Sequence, residues 1–155
     1  MNSTPPSRIS VIIPAHNEEA VIARCLSRML YGARAGELDI VVACNGCTDR
    51  TAEIASSFGS MVRVVETPTA SKIVALNLGD QSARTFPRFY VDADVSVSIE
   101  SLRNAAAKLR YGRFLAVSPS VKWELSSSSW CVRAFYAVWK YQPYFDNGRL
   151  GAGLY

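Results

Sequence analysis

At 155 residues, 49% hydrophobic and 19% charged, the chain is long enough for one domain with a real core, too short for two, and unlike a disordered protein. Its net charge of +4, from 17 Lys and Arg against 13 Asp and Glu, includes no dense basic run; nucleic acid is not implied, while an anionic substrate or peripheral contact with a membrane surface is compatible. Four scattered cysteines exclude a disulfide scaffold, and no run approaches the roughly 18 apolar residues of a membrane span, so a reduced, cytoplasmic protein, soluble or peripheral at the inner face of the membrane, is expected.

Residues 1–8 read as a flexible leader. Residues 9–14 read as a buried strand, which Pro14, lacking an N–H for the ladder, is expected to stop. Asn17 is placed as the N-cap of the following helix, with Glu18 and Glu19 in its positive first turn. Val21, Ile22, Cys25, Leu26, Met29 and Leu30 recur along one face, giving an amphipathic helix to about Gly32.

Residues 38–43 form the second predicted strand, ending in Cys44-Asn45-Gly46-Cys47. Thr48 or Asp49 is expected to cap the next helix, which carries Ala52, Ile54, Ala55 and Phe58 and stops at Gly59. A third strand over 61–66 and a helix over 71–83 follow.

Residues 89–95, Phe-Tyr-Val-Asp-Ala-Asp-Val, are predicted as the central strand. Asp92 and Asp94 point the same way if the chain is extended there. Two close carboxylates repel one another; a hard divalent cation with phosphate oxygens and water in its shell relieves the repulsion and makes a diphosphate site. The plainer reading of an Asp-x-Asp is a solvated turn. Ser98 caps a helix bearing Ile99, Leu102, Ala106 and Leu109.

Alternating strands and helices joined by short polar turns predict an open, mainly parallel α/β sheet with helices on both faces. Right-handed crossovers gather the strand C-termini along one edge, where ligands bind such sheets. His16, Asn45 and both aspartates are expected there. Beyond the fourth helix, residues 114–117 and the alternating Val121, Trp123 and Leu125 read as two strands or one bent one, and 130–141 as an aromatic-rich helix.

The motifs resemble those of the nucleotide-sugar-binding portion of a family 2 glycosyltransferase with the GT-A, Rossmann-like fold. The resemblance rests on residues 11–19 (Val-Ile-Ile-Pro-Ala-His-Asn-Glu-Glu), 45–51 (Asn-Gly-Cys-Thr-Asp-Arg-Thr), 72–79 (Lys-Ile-Val-Ala-Leu-Asn-Leu-Gly) and Asp92-Ala93-Asp94, four motifs in the family's order. It implies a single GT-A domain over 9–155. It also implies a nucleotide-sugar-binding set of Pro14, His16, Asn17, Glu18, Asn45, Lys72, Asp92 and Asp94. Within that set His16 lies against the base, Asn45 pairs with the base, and Lys72 sits near the diphosphate as a mobile positive charge. Asp92 contacts the ribose or a metal-bound water, and Asp94 binds the Mn2+ or Mg2+ that bridges the phosphates and neutralises charge on the leaving diphosphate. Cys44, where the family often has an acid, and Ala70-Ser71, where a glycine is common, depart from the pattern.

The implied reaction is metal-assisted, inverting transfer of a sugar from a nucleoside-diphosphate sugar to an acceptor hydroxyl. The acceptor is not readable. Family members use a later acidic residue as general base; Glu124 and Asp146 are the only acids beyond Glu100, and neither stands in the family's motif, so the base is not identified. The expectation is a domain truncated before its acceptor-side segment, with a nucleotide-sugar-binding fragment lacking turnover as the alternative. A haloacid-type phosphohydrolase, with Asp92 as nucleophile, is the lesser alternative, since that motif normally opens its domain. Cys44-x-x-Cys47 is better explained as turn chemistry than as a redox or zinc site. The aromatic group Trp123, Trp130, Tyr136, Trp139, Tyr141 and Tyr144 is expected in the core or at an exposed interface, where it would promote self-association.

Overall fold

The computed structural model describes residues 8–110, 114–117, 125–126, 128–139 and 141. Four parallel strands form one sheet among them: β1 (Ile9–Ala15), β2 (Leu38–Asn45), β3 (Val62–Thr67) and β4 (Arg88–Tyr90), in the spatial order β3-β2-β1-β4. Helices α1 (Ile22–Leu30), α2 (Thr51–Ser56), α3 (Lys72–Ser82), α4 (Ile99–Arg110) and α5 (Trp130–Trp139) alternate with or follow the strands. The predicted parallel α/β architecture is therefore present.

Both sheet faces are covered, and the two-residue strand period decides which side chains go where. Val11 and Ile13 of β1, with Ile40 and Val42 of β2 and Phe89 of β4, join Ile22, Leu26 and Met29 of α1 and Leu102 of α4 in one buried cluster. Each such fully buried side chain stabilises the fold by roughly 1.5–3 kcal/mol. Ile12 and Ala43 face the other way, against α3. Gly79 allows that approach, because a Cβ there would lie 2.4 Å from the Ile12 Cγ2.

Several local expectations change. β1 does not stop at Pro14 but continues to Ala15, with Pro14 opposite Ala43. Ser10 N donates to Pro87 O and Val91 N donates to Ile12 O, so the even-numbered residues of β1 bond toward β4. Pro14 faces that same side beyond the last β4 partner of β1, where its missing N–H breaks no ladder bond. Asn17 caps no helix: it has φ 55, and α1 begins five residues later behind Val21, with no acidic residue in its first turn. α1 ends at Leu30, before Gly32. Neither Thr48 nor Asp49 is the N-cap of α2, whose N-cap is Arg50.

The predicted central strand is the shortest one and lies at one side of the described sheet. Val95 N donates to Asp92 O at 3.0 Å, closing a turn over the two aspartates. They stand on that turn, not in extended chain, so the alternation argument does not govern them. The Ser98 hydroxyl accepts from Ser101 N, as predicted, and Ser71, expected as the first residue of its helix, is instead the N-cap of α3, accepting from Val74 N. Residues 114–117 are irregular, not a strand. Val121, Trp123, Glu124, Tyr144, Asp146 and the stretch 148–155 lie outside the described residues. α5 forms as predicted but ends at Trp139, short of Tyr141; its described positions are exposed except for the half-buried Tyr136, with Trp130 at 73% and Tyr141 just beyond the helix at 76%, so a core placement of Trp130 and Tyr141 is not observed.

Candidate functional site

The C-terminal ends of β1 and β2, the turn after β4 and the first residue of α3 meet along one edge of the sheet. The parallel register brings Ala15 opposite Cys44, so the residues that follow each strand emerge side by side. His16 Nδ1 lies 2.5 Å from the backbone oxygen of Asn45. A carbonyl only accepts, so Nδ1 carries the hydrogen, and the residue is otherwise exposed.

Asn45 is 4% exposed. Its amide is satisfied when Nδ2 donates to Ala15 O at 2.9 Å and Oδ1 accepts from Ser71 N at 3.2 Å. One side chain thus ties the end of β1 to the start of α3. The contact with a base that the resemblance implies has one N–H and one lone pair of this buried amide left to use. Gly46 follows with φ +61, and a Cβ there would stand 2.9 Å from Ala70 Cβ, so the turn admits only glycine without displacement.

Lys72 opens α3, and its Nζ pairs with Asp92 Oδ1 at 2.6 Å. Asp94 is exposed and makes no hydrogen bond among the described residues. Glu18 joins the group electrostatically: burial first, then the charges of Asp94, Asp49 and Asp92, hold its carboxyl above the usual range, while His16 opposes them. Pro14 is buried in β1. Asn17 Oδ1 accepts from Thr48 N at 2.8 Å. All eight residues of the expected set therefore lie on or beside the same sheet edge.

No three His, Cys, Asp or Glu side chains among the described residues are grouped to hold a metal alone. The donors match a hard divalent cation in kind, as carboxylate oxygens, but a full shell would require phosphate oxygens and water. The cysteine pair is built into the strand ends. Burial, followed by the neighbouring Cys47, pushes the Cys44 thiol up to about 12, and Cys47 Sγ donates to Ala15 O at 3.3 Å. A thiol so shifted is poorly suited to redox chemistry.

Sequence reasoning missed Asp49 and Thr51. The Asp49 side chain accepts from both the N–H and the hydroxyl of Thr51, and from Glu19 N. Partial burial raises its carboxyl, but the Thr51 hydroxyl and these backbone N–H groups bring it below the usual range. The signal was present: an Asp two residues before a Thr folds readily into a turn closed by its own side chain.

The family model described as glycosyl transferase family 2 matches residues 10–151. The uncharacterized glycosyltransferase EpsJ of Bacillus subtilis is 29% identical over 93 residues, covering 58% of this chain and 27% of that protein. TarS 1–349 of S. aureus in complex with UDP-GlcNAc superposes with a TM-score of 0.56 at 26% identity, covering 67% of this chain and 31% of that one. Glucosyl-3-phosphoglycerate synthase of Mycobacterium tuberculosis, in complex with Mn2+, UDP-glucose and phosphoglyceric acid, gives 0.55 at 26% identity, covering 69% and 41%. The chain spans between about a quarter and two-fifths of the length of these relatives. No helix among the described residues is long and apolar enough to cross a membrane.

Proposed function

The chain belongs to glycosyl transferase family 2 and has the GT-A fold, and from that premise we propose that it binds a nucleoside-diphosphate sugar across the C-terminal edge of its sheet for transfer to an acceptor hydroxyl. The observation that carries this reading is the meeting of Lys72 with Asp92 beside the linked pair His16 and Asn45, since those four come from four separate stretches of chain. The His16 face stacks on the base. Lys72 stands at the N-terminus of an eleven-residue helix, where backbone N–H groups and the helix dipole favour anions, and is placed to follow the diphosphate. Asp94, with Asp92, would hold a Mn2+ or Mg2+ ion. When bound, that ion supplies Lewis-acid neutralisation of the leaving diphosphate.

The protein's own contribution is positional and electrostatic. Lys72 exchanges one anionic partner, Asp92, for the phosphates, while the strand-end loops hold the sugar's anomeric carbon open to the acceptor. The reaction proposed is a single inverting displacement, as the family resemblance implies. Mn2+ in the mycobacterial relative and the uridine nucleotides in both structural relatives are in keeping with a nucleoside-diphosphate donor bound with a divalent cation.

The test is calorimetry of the chain with uridine and guanosine diphosphates, with and without Mn2+. Binding of one nucleotide that tightens with Mn2+, and an Asp94→Asn variant that loses the Mn2+ dependence, are the expected results. Binding of neither nucleotide would remove the reading; binding without sugar transfer would limit it to donor recognition.

A further inference from the structure

The loop after β1 and the loop after β2 are cross-braced by side chains from both, with Asp49 at the centre. Thr51, 0% exposed, gives its hydroxyl hydrogen to Asp49 Oδ1 and accepts Glu18 N–H at 2.8 Å on the same oxygen. Asp49 Oδ1 also accepts from Thr51 N at 3.0 Å, and its Oδ2 accepts from Glu19 N at 3.1 Å. Glu19 closes the ring by accepting Arg50 N–H at 3.1 Å, and Asn17 accepts from Thr48 N. Apart from these bonds, residues 17–19 are held by their short connections to β1 and α1 and by Glu18 O, which accepts from Val21 N and Ile22 N on the α1 side, and Asn17 sits in the left-handed region.

We infer that Asp49 and Thr51 are positioning residues of the nucleotide-sugar site, fixing Asn17 and Glu18 against the β2 loop so that the His16 to Glu18 rim keeps its shape when ligand arrives. The inference rests on the function proposed above. Asp49 accepts on both oxygens and donates to nothing, a pattern only a carboxylate supplies. An asparagine would turn an NH2 group toward the N–H of Glu19 or of Thr51, donor against donor. Thr51 needs one hydroxyl that donates and accepts at once, which serine retains and valine lacks.

The experiment measures nucleoside-diphosphate affinity in the presence of Mn2+ for the wild-type chain, Asp49→Asn, Thr51→Val and Thr51→Ser, with thermal melts of each. Asp49→Asn and Thr51→Val are expected to bind about tenfold more weakly, the lower end of the range for residues that orient ligand-contacting groups. Thr51→Ser should stay within about twofold of wild type, a rescue that a mere packing role for the methyl group would not give. Arg103→Ala, which cuts an ion pair with Glu37 away from the site, should lower the melting temperature without weakening binding. If Asp49→Asn does not fold, the Thr51→Val and Thr51→Ser pair decides the matter. Wild-type affinity in the folded Asp49 and Thr51 variants, or an equal loss in Arg103→Ala, overturns the inference. A wild-type chain that binds no nucleoside diphosphate overturns the proposed function and this inference with it.

Discussion

Where β1 and β2 begin, Asp39 and Glu37 have every carboxylate oxygen engaged; where those strands end, Asp92 pairs with Lys72 while the exposed Asp94 makes no hydrogen bond among the described residues. Asp39 accepts from Ser10 Oγ at 2.9 Å, Arg84 N at 2.8 Å and Arg63 Nη2 at 2.7 Å. Glu37 takes a two-pronged contact from Arg103 at 2.7 and 2.8 Å and a third bond from Arg34 N at 2.8 Å. At the other end Lys72 meets Asp92, and Glu18 feels the field of both aspartates. The same sheet thus carries one set of carboxylates that its own chain bonds on every oxygen and, at its other end, a Glu18 carboxyl raised by the acids around it. The first arrangement stabilises a fold, whereas the second is relieved by a cation or a ligand.

The sharpest way to break this contrast is Asp39→Ala. The side chain is only 11% exposed, and its removal strands the Arg63 guanidinium and the Arg84 N–H and leaves the fully buried Ser10 hydroxyl with Thr85 alone. A loss of about 3 kcal/mol in unfolding free energy is expected, read from denaturant titration. Nucleotide affinity should not change, because Asp39 lies at the far end of its strand from Asn45. A variant that kept its stability but lost binding would invert the assignment of the two ends.

Glu37 offers the same test through pH. The Arg103 guanidinium holds its carboxyl well below the ordinary value, down to about 2, against partial burial, which pushes it up. A depressed acid contributes stability that is full above its unfolded value, near 4.5, and is lost as pH falls toward 2. Allowing for solvent screening at Arg103, about 2 kcal/mol should disappear across that interval. In Glu37→Gln the same interval should show a correspondingly shallower acid limb.

How much of this contrast was legible beforehand follows a physical line. The strand and helix periods and the Ser98 cap are local signals, and the chain placed them correctly. Strand order and strand length are not local. Nothing in residues 9–14 tells which neighbour the Pro14 nitrogen faces, and nothing in residues 89–95 tells that a turn from Asp92 to Val95 ends β4 after three residues. Asn17 has the composition of a helix cap but serves instead as an acceptor for Thr48, a partner 31 residues away. The strand-start cluster left one overlooked trace: Ser10 and Asp39 each interrupt an apolar run at its second residue, and the register sets them opposite one another. A polar pair facing across two buried strands is bonded, as buried polar groups generally are.

At the ligand end, Lys72→Met is the next largest perturbation. The pair with Asp92 is half exposed, with the lysine side chain at 55%, so its loss should change stability by no more than about 0.5 kcal/mol. Removing a cation from beside a diphosphate is expected to weaken binding by about tenfold, measured by calorimetry with Mn2+ present. Equal losses of stability and affinity would mean that Lys72 is a structural cation like Arg63, and the two ends would no longer differ in kind.

Glu18→Gln should give the smallest effect, and its sign is the informative part. Burial raises the Glu18 carboxyl, and Asp94, Asp49 and Asp92 raise it further. A group whose folded value lies above its unfolded value favours the fold at low pH, and that contribution is lost as pH rises through the folded value. The wild-type chain should therefore lose stability just above the ordinary glutamate range, the opposite direction to Glu37. Glutamine has no charge to gain, so at neutral pH Glu18→Gln should be the more stable chain, by about 0.5 kcal/mol. The measurement is the difference in melting temperature between the two chains from pH 4 to pH 7, at low salt to limit screening. A difference that rises through this interval ties the repulsion to Glu18. A flat one would mean that the carboxylates at 18, 92 and 94 do not sense one another, and the strand-end cluster would then need no cation to settle it.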